Sequence, residues 1–157
     1  MKAARGFTLI ELVITVAIVA LLASVALPVS ELAVQRTNEQ DLRRSLRQIR
    51  EAIDAYKQAS DENRIKKSIG DSGYPKKLEE LVEGVDDQQN PKKAKIYFLR
   101  RIPRDPFNAD PAISAAATWG KRSYASPPDD PKEGEDVFDV FSLAPGTGIN
   151  GRPYREW

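Results

Sequence analysis

One long apolar stretch near the start of the chain constrains its fold more than any other feature. It runs for 23 residues from Phe7 to Val29, and its only charged residue is Glu11. As a helix it spans about 34 Å, which is enough to cross the hydrocarbon core of a bilayer. Lys2 and Arg5 precede it, so the positive-inside rule places this end of the chain in the cytoplasm. The sequence therefore predicts a single membrane pass.

The helical pattern continues beyond the apolar stretch. Five apolar residues at alternating spacings of four and three mark one stripe of an amphipathic helix: Leu42, Leu46, Ile49, Ile53 and Tyr56. Since no glycine interrupts this region, we predict one nearly continuous helix from about Phe7 to about Ala59. Pro28 lacks a backbone donor and is predicted to bend that helix. On the polar face, Arg47 and Glu51 are four residues apart, as are Arg50 and Asp54, and each spacing allows an ion pair.

The remainder of the chain has the pattern of a small domain. We predict a short helix over residues 75–82, strands over residues 121–126 and 136–143, and a last short strand over residues 152–157. The predicted fold class is α+β, with the second half of the long helix packed on a small antiparallel β-sheet.

Composition limits the classes of function. Lys and Arg total 24 against 23 Asp and Glu, without the dense basic stripe that nucleic-acid binding requires. The chain has no His and no Cys, which removes the commonest catalytic base and nucleophile near neutral pH. A membrane-anchored carboxylate enzyme using Asp136 and Asp139 stays an alternative. Three residues apart on a predicted strand, these two side chains point to opposite faces, which argues against an acid–base pair.

An acidic cluster is the one candidate for a metal site. Its weak candidate ligands for calcium are Asp129, Asp130, Asp136 and Asp139. Their spacing fits no ordered calcium motif, and aspartates between prolines are typical of a solvated turn. We therefore predict no cofactor, with calcium as the alternative.

The residues Gly6-Phe7-Thr8-Leu9-Ile10-Glu11 resemble the processing motif of type IV prepilins and of the pseudopilins of type II secretion. Pro28 falls where many members of that family carry a proline. The resemblance implies that prepilin peptidase cuts between Gly6 and Phe7 and methylates the new N-terminal Phe7. An ordinary signal peptide cut after Ala26 is the alternative, but Glu11 interrupts its apolar region.

Glu11 is the candidate assembly residue. Ionisable groups in apolar spans usually have a partner. After processing, the amine of Phe7 lies four residues before Glu11, about 6 Å along the helix axis. We predict that this carboxylate pairs with the amine of a neighbouring subunit.

Motifs in the domain resemble those of major pseudopilins, the "G" subunits of type II secretion. They occur in the family's order at residues 73–75, 78–82, 99–108, 138–143 and 157. The chain departs from the family at the calcium loop, because residues 144–157 contain no Asp. We therefore expect the domain not to depend on calcium and its C-terminal loop to be held by Tyr154 and Trp157 against Phe138 or Phe141.

The resemblance implies a structural subunit that polymerises from the inner membrane to drive protein export, with a true type IV pilus subunit as the alternative. The implied partners are other copies of the chain, prepilin peptidase, an inner-membrane assembly platform and minor pseudopilins. The implied division is a leader over residues 1–6, a membrane-spanning half-helix over 7–29, an amphipathic half-helix over 30–60 and a periplasmic domain over 61–157.

Overall fold

A single long helix begins the structure. The computed structural model describes residues 7–157, apart from the side chains of residues 25–28. Helix α1 spans Leu9–Asp61, which confirms the predicted continuous helix. The chain divides into two compact units, one ending at Thr37 and the other comprising Asn38–Trp157. The bend predicted at Pro28 and the leader at residues 1–6 lie outside the residues or side chains described.

Local hydrogen bonding ends α1. Asn63 adopts a left-handed conformation with φ 57°, which asparagine tolerates better than most residues. The next amide, that of Arg64, donates back to the carbonyl of Ala59 at 2.9 Å, and the amide of Asn63 donates to Ser60 at 3.1 Å. This is the Schellman arrangement, which satisfies carbonyls that the end of a helix leaves without partners.

The apolar stripe of α1 forms one wall of the core of the second unit. All five predicted stripe residues are buried: Leu42, Leu46, Ile49, Ile53 and Tyr56. They belong to one buried cluster with Leu78, Leu81, Trp119 and Val140. Because the stripe removes this apolar surface from water, it fixes the helix against the rest of the domain.

Short elements make up the rest of the domain and confirm the α+β class. They are α2 (Glu80–Glu83), β1 (Val85–Asp86), β2 (Lys95–Ile96), β3 (Trp119–Arg122) and β4 (Asp139–Ser142). Strands β1 and β2 form one antiparallel pair, and β3 and β4 form another, in which Trp119 faces Ser142 and Arg122 faces Asp139.

Four sequence predictions need correction. The helix predicted at residues 75–82 is the short α2, shifted toward the C-terminus. The strand predicted at 121–126 is found two residues earlier and is shorter, as β3, and the strand predicted at 136–143 is shorter, as β4. The last strand predicted at 152–157 is wrong, because Tyr154–Glu156 form a 3-10 turn. Only Pro153 joins an isolated bridge, to Thr147, and a proline there has no amide to extend the pairing.

A buried carboxylate ties the loop before β3 to strand β4. Asp105 is 1% exposed. It accepts hydrogen bonds from the hydroxyl of Ser142 at 2.5 Å and from the amide of Phe107 at 2.8 Å. Its own amide donates to the hydroxyl of Thr118 at 3.2 Å. The carboxylate is thus satisfied, as burial requires, and it fixes Phe107 near the C-terminal loop.

Candidate functional site

The first turn of α1 carries a reciprocal hydrogen-bond pair. The amide of Thr8 donates to Oε2 of Glu11 at 3.4 Å, and the amide of Glu11 donates to the hydroxyl of Thr8 at 3.3 Å. This is a capping box, which satisfies two of the amides that a helix start leaves without partners. Phe7 precedes the helix and is 79% exposed, whereas Gly6 lies outside the described residues.

The capping box gives Glu11 a local role beside the predicted assembly role. A carboxylate in the first turn interacts favourably with the positive end of the helix dipole. The Thr-x-x-Glu spacing was present in the sequence and predicts such a box, but sequence reasoning did not use it. The Glu11 carboxylate is therefore positioned near the amine that processing would create at Phe7.

The apolar stretch lies in the first unit. All of its described side chains, those of residues 7–24 and 29, are exposed. An 18-residue window of this helix has a mean hydropathy of 2.7. By length and composition the helix is able to cross a membrane. A helix that is apolar on every side needs lipid or other apolar helices around it.

The acidic cluster does not assemble into a cation site in the described part of the chain. Asp130 pairs with Lys132 at 2.7 Å, and Asp139 pairs with Arg50 at 2.7 Å. Asp136 accepts hydrogen bonds from the hydroxyl of Ser123 and the amide of Tyr124. Within residues 7–157, no three acidic, histidine or cysteine side chains converge in a way that could hold a metal ion.

The hydrogen bonds of the Asp136 carboxylate also determine the direction of its pKa shift. Burial by itself raises the pKa, but hydrogen bonds from Ser72, Tyr124 and Ser123 outweigh burial and lower it below the usual aspartate value. These hydrogen-bond donors stabilise the ionised form of the carboxylate, and the Ser123 hydroxyl and the Tyr124 amide share its Oδ1. Asp136 and Asp139 also contact separate partners, so they form no acid–base pair.

The C-terminal loop is fastened to α1 by a buried carboxylate. Glu39 is 5% exposed, and its Oε1 accepts hydrogen bonds from the amide of Ile149 at 2.8 Å and from the hydroxyl of Tyr154 at 3.2 Å. The ring of Tyr154 stacks on Phe107 with centroids 4.4 Å apart and meets Trp157 edge-on at 5.2 Å. These contacts order the loop around Tyr154.

This arrangement corrects the expected packing of the loop. Tyr154 stacks on Phe107, whereas the ring of Phe138 packs against Tyr74 and Tyr124. Sequence reasoning also missed Glu39. It precedes Leu42 by three residues and so falls on the apolar stripe, and a carboxylate at such a position signals a buried polar contact.

Arg50 joins α1 to two distant segments. Its Nε donates to Asp139 at 2.7 Å, and its Nη2 donates to the carbonyls of Val140 at 3.1 Å and Trp157 at 2.7 Å. The pairing of Arg50 with Asp54 expected from the spacing is thus replaced by a tertiary contact. A guanidinium that bridges three acceptors in a partly buried site outweighs an exposed pair within a helix.

Comparison with known proteins finds similarity in both units of the chain. Residues 1–27 match the family described as "Prokaryotic N-terminal methylation motif". The "Type II secretion system core protein G" of Dickeya chrysanthemi is 24% identical over 152 residues, covering 94% of this chain and 92% of the relative. The proteins of the same name from Klebsiella michiganensis and Klebsiella pneumoniae are each 25% identical, covering 84% and 92% of this chain and 88% and 87% of theirs.

No solved structure gives a significant match. The methylation motif covers the predicted cleavage site and most of the apolar stretch, and the three relatives extend through the domain that contains the Glu39 and Arg50 contacts. The chain is thus similar to the type II secretion core protein G of three organisms along most of its length, and its first 27 residues match a prokaryotic N-terminal methylation motif.

Proposed function

We propose that this chain is the structural subunit of a type II secretion pseudopilus, held in the inner membrane by residues 7–29 with its domain in the periplasm. One observation carries the proposal: a methylation motif over residues 1–27 occurs in a chain that resembles core protein G along 94% of its length. After processing, subunits leave the membrane and polymerise into a helical fibre that drives protein export.

The exposed apolar half of α1 supports this cycle physically. Before assembly, lipid surrounds the helix. In the fibre, the same surface packs against the helices of other copies, so no apolar surface meets water at either stage. The partners of this cycle are prepilin peptidase, an inner-membrane assembly platform, minor pseudopilins and further copies of the chain.

The chain itself catalyses no reaction in this proposal. The absence of His and Cys supports this, as does the separation of the two candidate carboxylates. Asp136 is held by Ser123 and Tyr124, and Asp139 by Arg50 and Arg122. Carboxylates held by different partners are poorly suited to share a substrate proton.

The mature protein is expected to begin at Phe7 and to carry one N-methyl group. The reason is the intact order from Gly6 to Glu11, with a small residue before a large one at the start of the apolar stretch. Mass spectrometry of the membrane-extracted protein measures both the start and the added methyl mass.

Replacing Gly6 by leucine serves as the control, since it changes only the residue before the cut. That variant should keep its leader and lack the methyl group. A mature start at Leu27 instead of Phe7 would establish an ordinary signal peptide and overturn the proposed function.

We further propose that the domain needs no calcium. In the calcium loop of the resembling family, the ligand positions fall here on Pro145, Thr147, Asn150 and Arg152. Proline and arginine offer no side-chain oxygen to a cation. The contacts of Glu39 with Ile149 and Tyr154 hold this loop in place, as a bound ion would otherwise do.

A soluble fragment starting near Glu31 should melt at the same temperature with calcium and with chelator. A ligand at one hundred times its Kd stabilises a folded protein by about 2.7 kcal/mol, which corresponds to a shift of several degrees. Such a shift would mean that the acidic residues between Asp129 and Asp139 supply a cation site, and it would contradict the calcium-free loop.

A further inference from the structure

The C-terminal loop contains a tight hairpin turn. The amide of Gly151 donates to the carbonyl of Gly148 at 2.8 Å, and the amide of Gly148 donates to the carbonyl of Arg152 at 2.9 Å. Gly151 has a positive φ of 76°. A hairpin loop of this kind ends on a residue in the left-handed conformation, which glycine adopts without steric cost. The turn therefore places Asn150 directly before a glycine.

Glu39 of α1 ties this turn to the rest of the domain. Its Oε1 accepts hydrogen bonds from the amide of Ile149, within the turn, at 2.8 Å and from the hydroxyl of Tyr154, just after it, at 3.2 Å. Apart from Gly148, residues 147–152 are exposed. A segment whose backbone hydrogen bonds are mostly exposed opens more readily than the core, so the closed turn depends on the Glu39 contact.

Asn150 has a reactivity that no other asparagine of the chain shares. It is the only asparagine in the sequence that a glycine follows. The Cγ atom of an asparagine is open to attack by the backbone nitrogen of the next residue, which closes a succinimide ring. A side chain on that next residue hinders the approach and restricts the backbone, and glycine has neither effect. The sequence and the exposure of the turn therefore single out Asn150.

The closed turn opposes this reaction. The nitrogen that must attack is the amide of Gly151, and its proton is held by the carbonyl of Gly148. The Oδ1 of Asn150 accepts a hydrogen bond from the amide of Arg152 at 3.1 Å, which fixes the side chain. Ring closure must remove the Gly151 proton, and removal is harder while the proton is hydrogen-bonded. The rate is therefore expected to follow the fraction of chains in which the turn is open.

We propose that Asn150 is a site of spontaneous deamidation and that the turn held by Glu39 limits its rate. The Gly151 nitrogen bonds to Cγ of Asn150, the Cγ–Nδ2 bond breaks, and the side-chain nitrogen leaves as ammonia with the amide proton of Gly151. Water then opens the succinimide at either carbonyl and gives aspartate or isoaspartate at position 150. The reaction consumes only water, and it does not depend on the proposed function.

The two products affect the turn differently. Both add a negative charge at an exposed position. Aspartate keeps a side-chain oxygen for the amide of Arg152. Isoaspartate instead carries the main chain through the former side chain, so the turn gains an extra backbone carbon between Gly148 and Gly151. We expect this product to lose the hydrogen bond that closes the turn, so that the C-terminal loop loosens in older molecules.

Peptide mapping of the full-length chain, incubated in detergent with heavy-oxygen water, measures the reaction. A heavy oxygen at position 150 records hydrolysis of the succinimide during the incubation, and chromatography separates the two products. Asn108 is the matched internal control. Its side-chain oxygen accepts a hydrogen bond from the amide of Asp110 at 3.1 Å, two residues ahead as for Asn150, but alanine follows it. Position 150 should be labelled about tenfold faster than position 108.

Two changes test the control by the turn. Glu39→Ala removes the tether and should raise the labelling rate at position 150 by about tenfold, because more chains have the turn open. Unfolding the unmodified chain in urea removes the turn without a substitution and should raise the rate by at least about tenfold. The urea measurement decides the question even where Glu39→Ala does not fold.

Each outcome supports or overturns the proposal. Labelling at position 150 that is no faster than at position 108 would overturn the deamidation site. Asn150→Gln lengthens the side chain by a methylene and disfavours the ring, so labelling that persists in this variant would overturn it as well. A folded chain that is labelled as fast as the chain in urea would show that the turn gives no protection.

Discussion

Replacing Glu11 by alanine is expected to abolish fibre assembly while leaving cleavage at Phe7 and membrane insertion intact. The carboxylate lies near the start of an apolar helix, where an ionised group is costly unless it is paired. Processing creates a positive amine at Phe7, and pairing of that amine with Glu11 of a neighbouring subunit neutralises both charges in a region of low dielectric. Without the carboxylate, the amine of the neighbour has no partner in the fibre core.

The capping box at the start of α1 requires a matched pair of controls. Glu11→Gln keeps a side-chain oxygen for the amide of Thr8 but loses the charge. This variant should therefore fail to form fibres, as the Glu11→Ala variant does. Thr8→Ala removes the other half of the box and keeps the charge. It should cost the helix start about 1 kcal/mol and still give fibres.

Electron microscopy of sheared fibres and mass spectrometry of the membrane fraction measure assembly and processing separately. Normal fibres from Glu11→Gln would show that the charge is not required, leaving only the capping role. Loss of cleavage in either Glu11 variant would instead mean that the residue serves the peptidase.

Replacing Glu39 by alanine is expected to lower the free energy of unfolding of the domain by about 3 kcal/mol. The substitution removes the acceptor for two hydrogen bonds and leaves the buried hydroxyl of Tyr154 without that partner. For a domain of this size, the melting temperature should fall by roughly 10 °C. Because the stacking of Tyr154 on Phe107 depends on the same loop, the C-terminal residues should also become sensitive to protease.

Glu39→Gln is the matched control, since it keeps an oxygen at the same position and nearly the same volume. Its cost should be about 1 kcal/mol, the difference between a hydrogen bond to a charged acceptor and one to a neutral acceptor. Urea unfolding of the soluble fragment measures both variants. If alanine costs less than glutamine, the Glu39 carboxylate does not hold the loop.

The sequence by itself determined the features that depend on residue order and periodicity. Twenty-three residues with one charge define a helix able to cross a membrane, and the stripe from Leu42 to Tyr56 defines the face of α1 that is buried. The motif from Gly6 to Glu11 needs no tertiary structure to be found, because it is read along the chain. Helix α1 was predictable to within a few residues at each end for the same reason.

Only the tertiary structure decided which charged side chains pair with each other and how the C-terminal loop is held. Arg50 pairs with Asp139, 89 residues away in the sequence, and not with the nearby Asp54. Glu39 accepts a hydrogen bond from Tyr154, which is 115 residues away. Such pairings depend on which surfaces the folded chain brings together, and local spacing carries no information about them. The bounds of the strands were misjudged for a related reason: a strand extends only as far as its partner pairs with it, and β3 pairs with β4 over four residues, from Trp119 opposite Ser142 to Arg122 opposite Asp139.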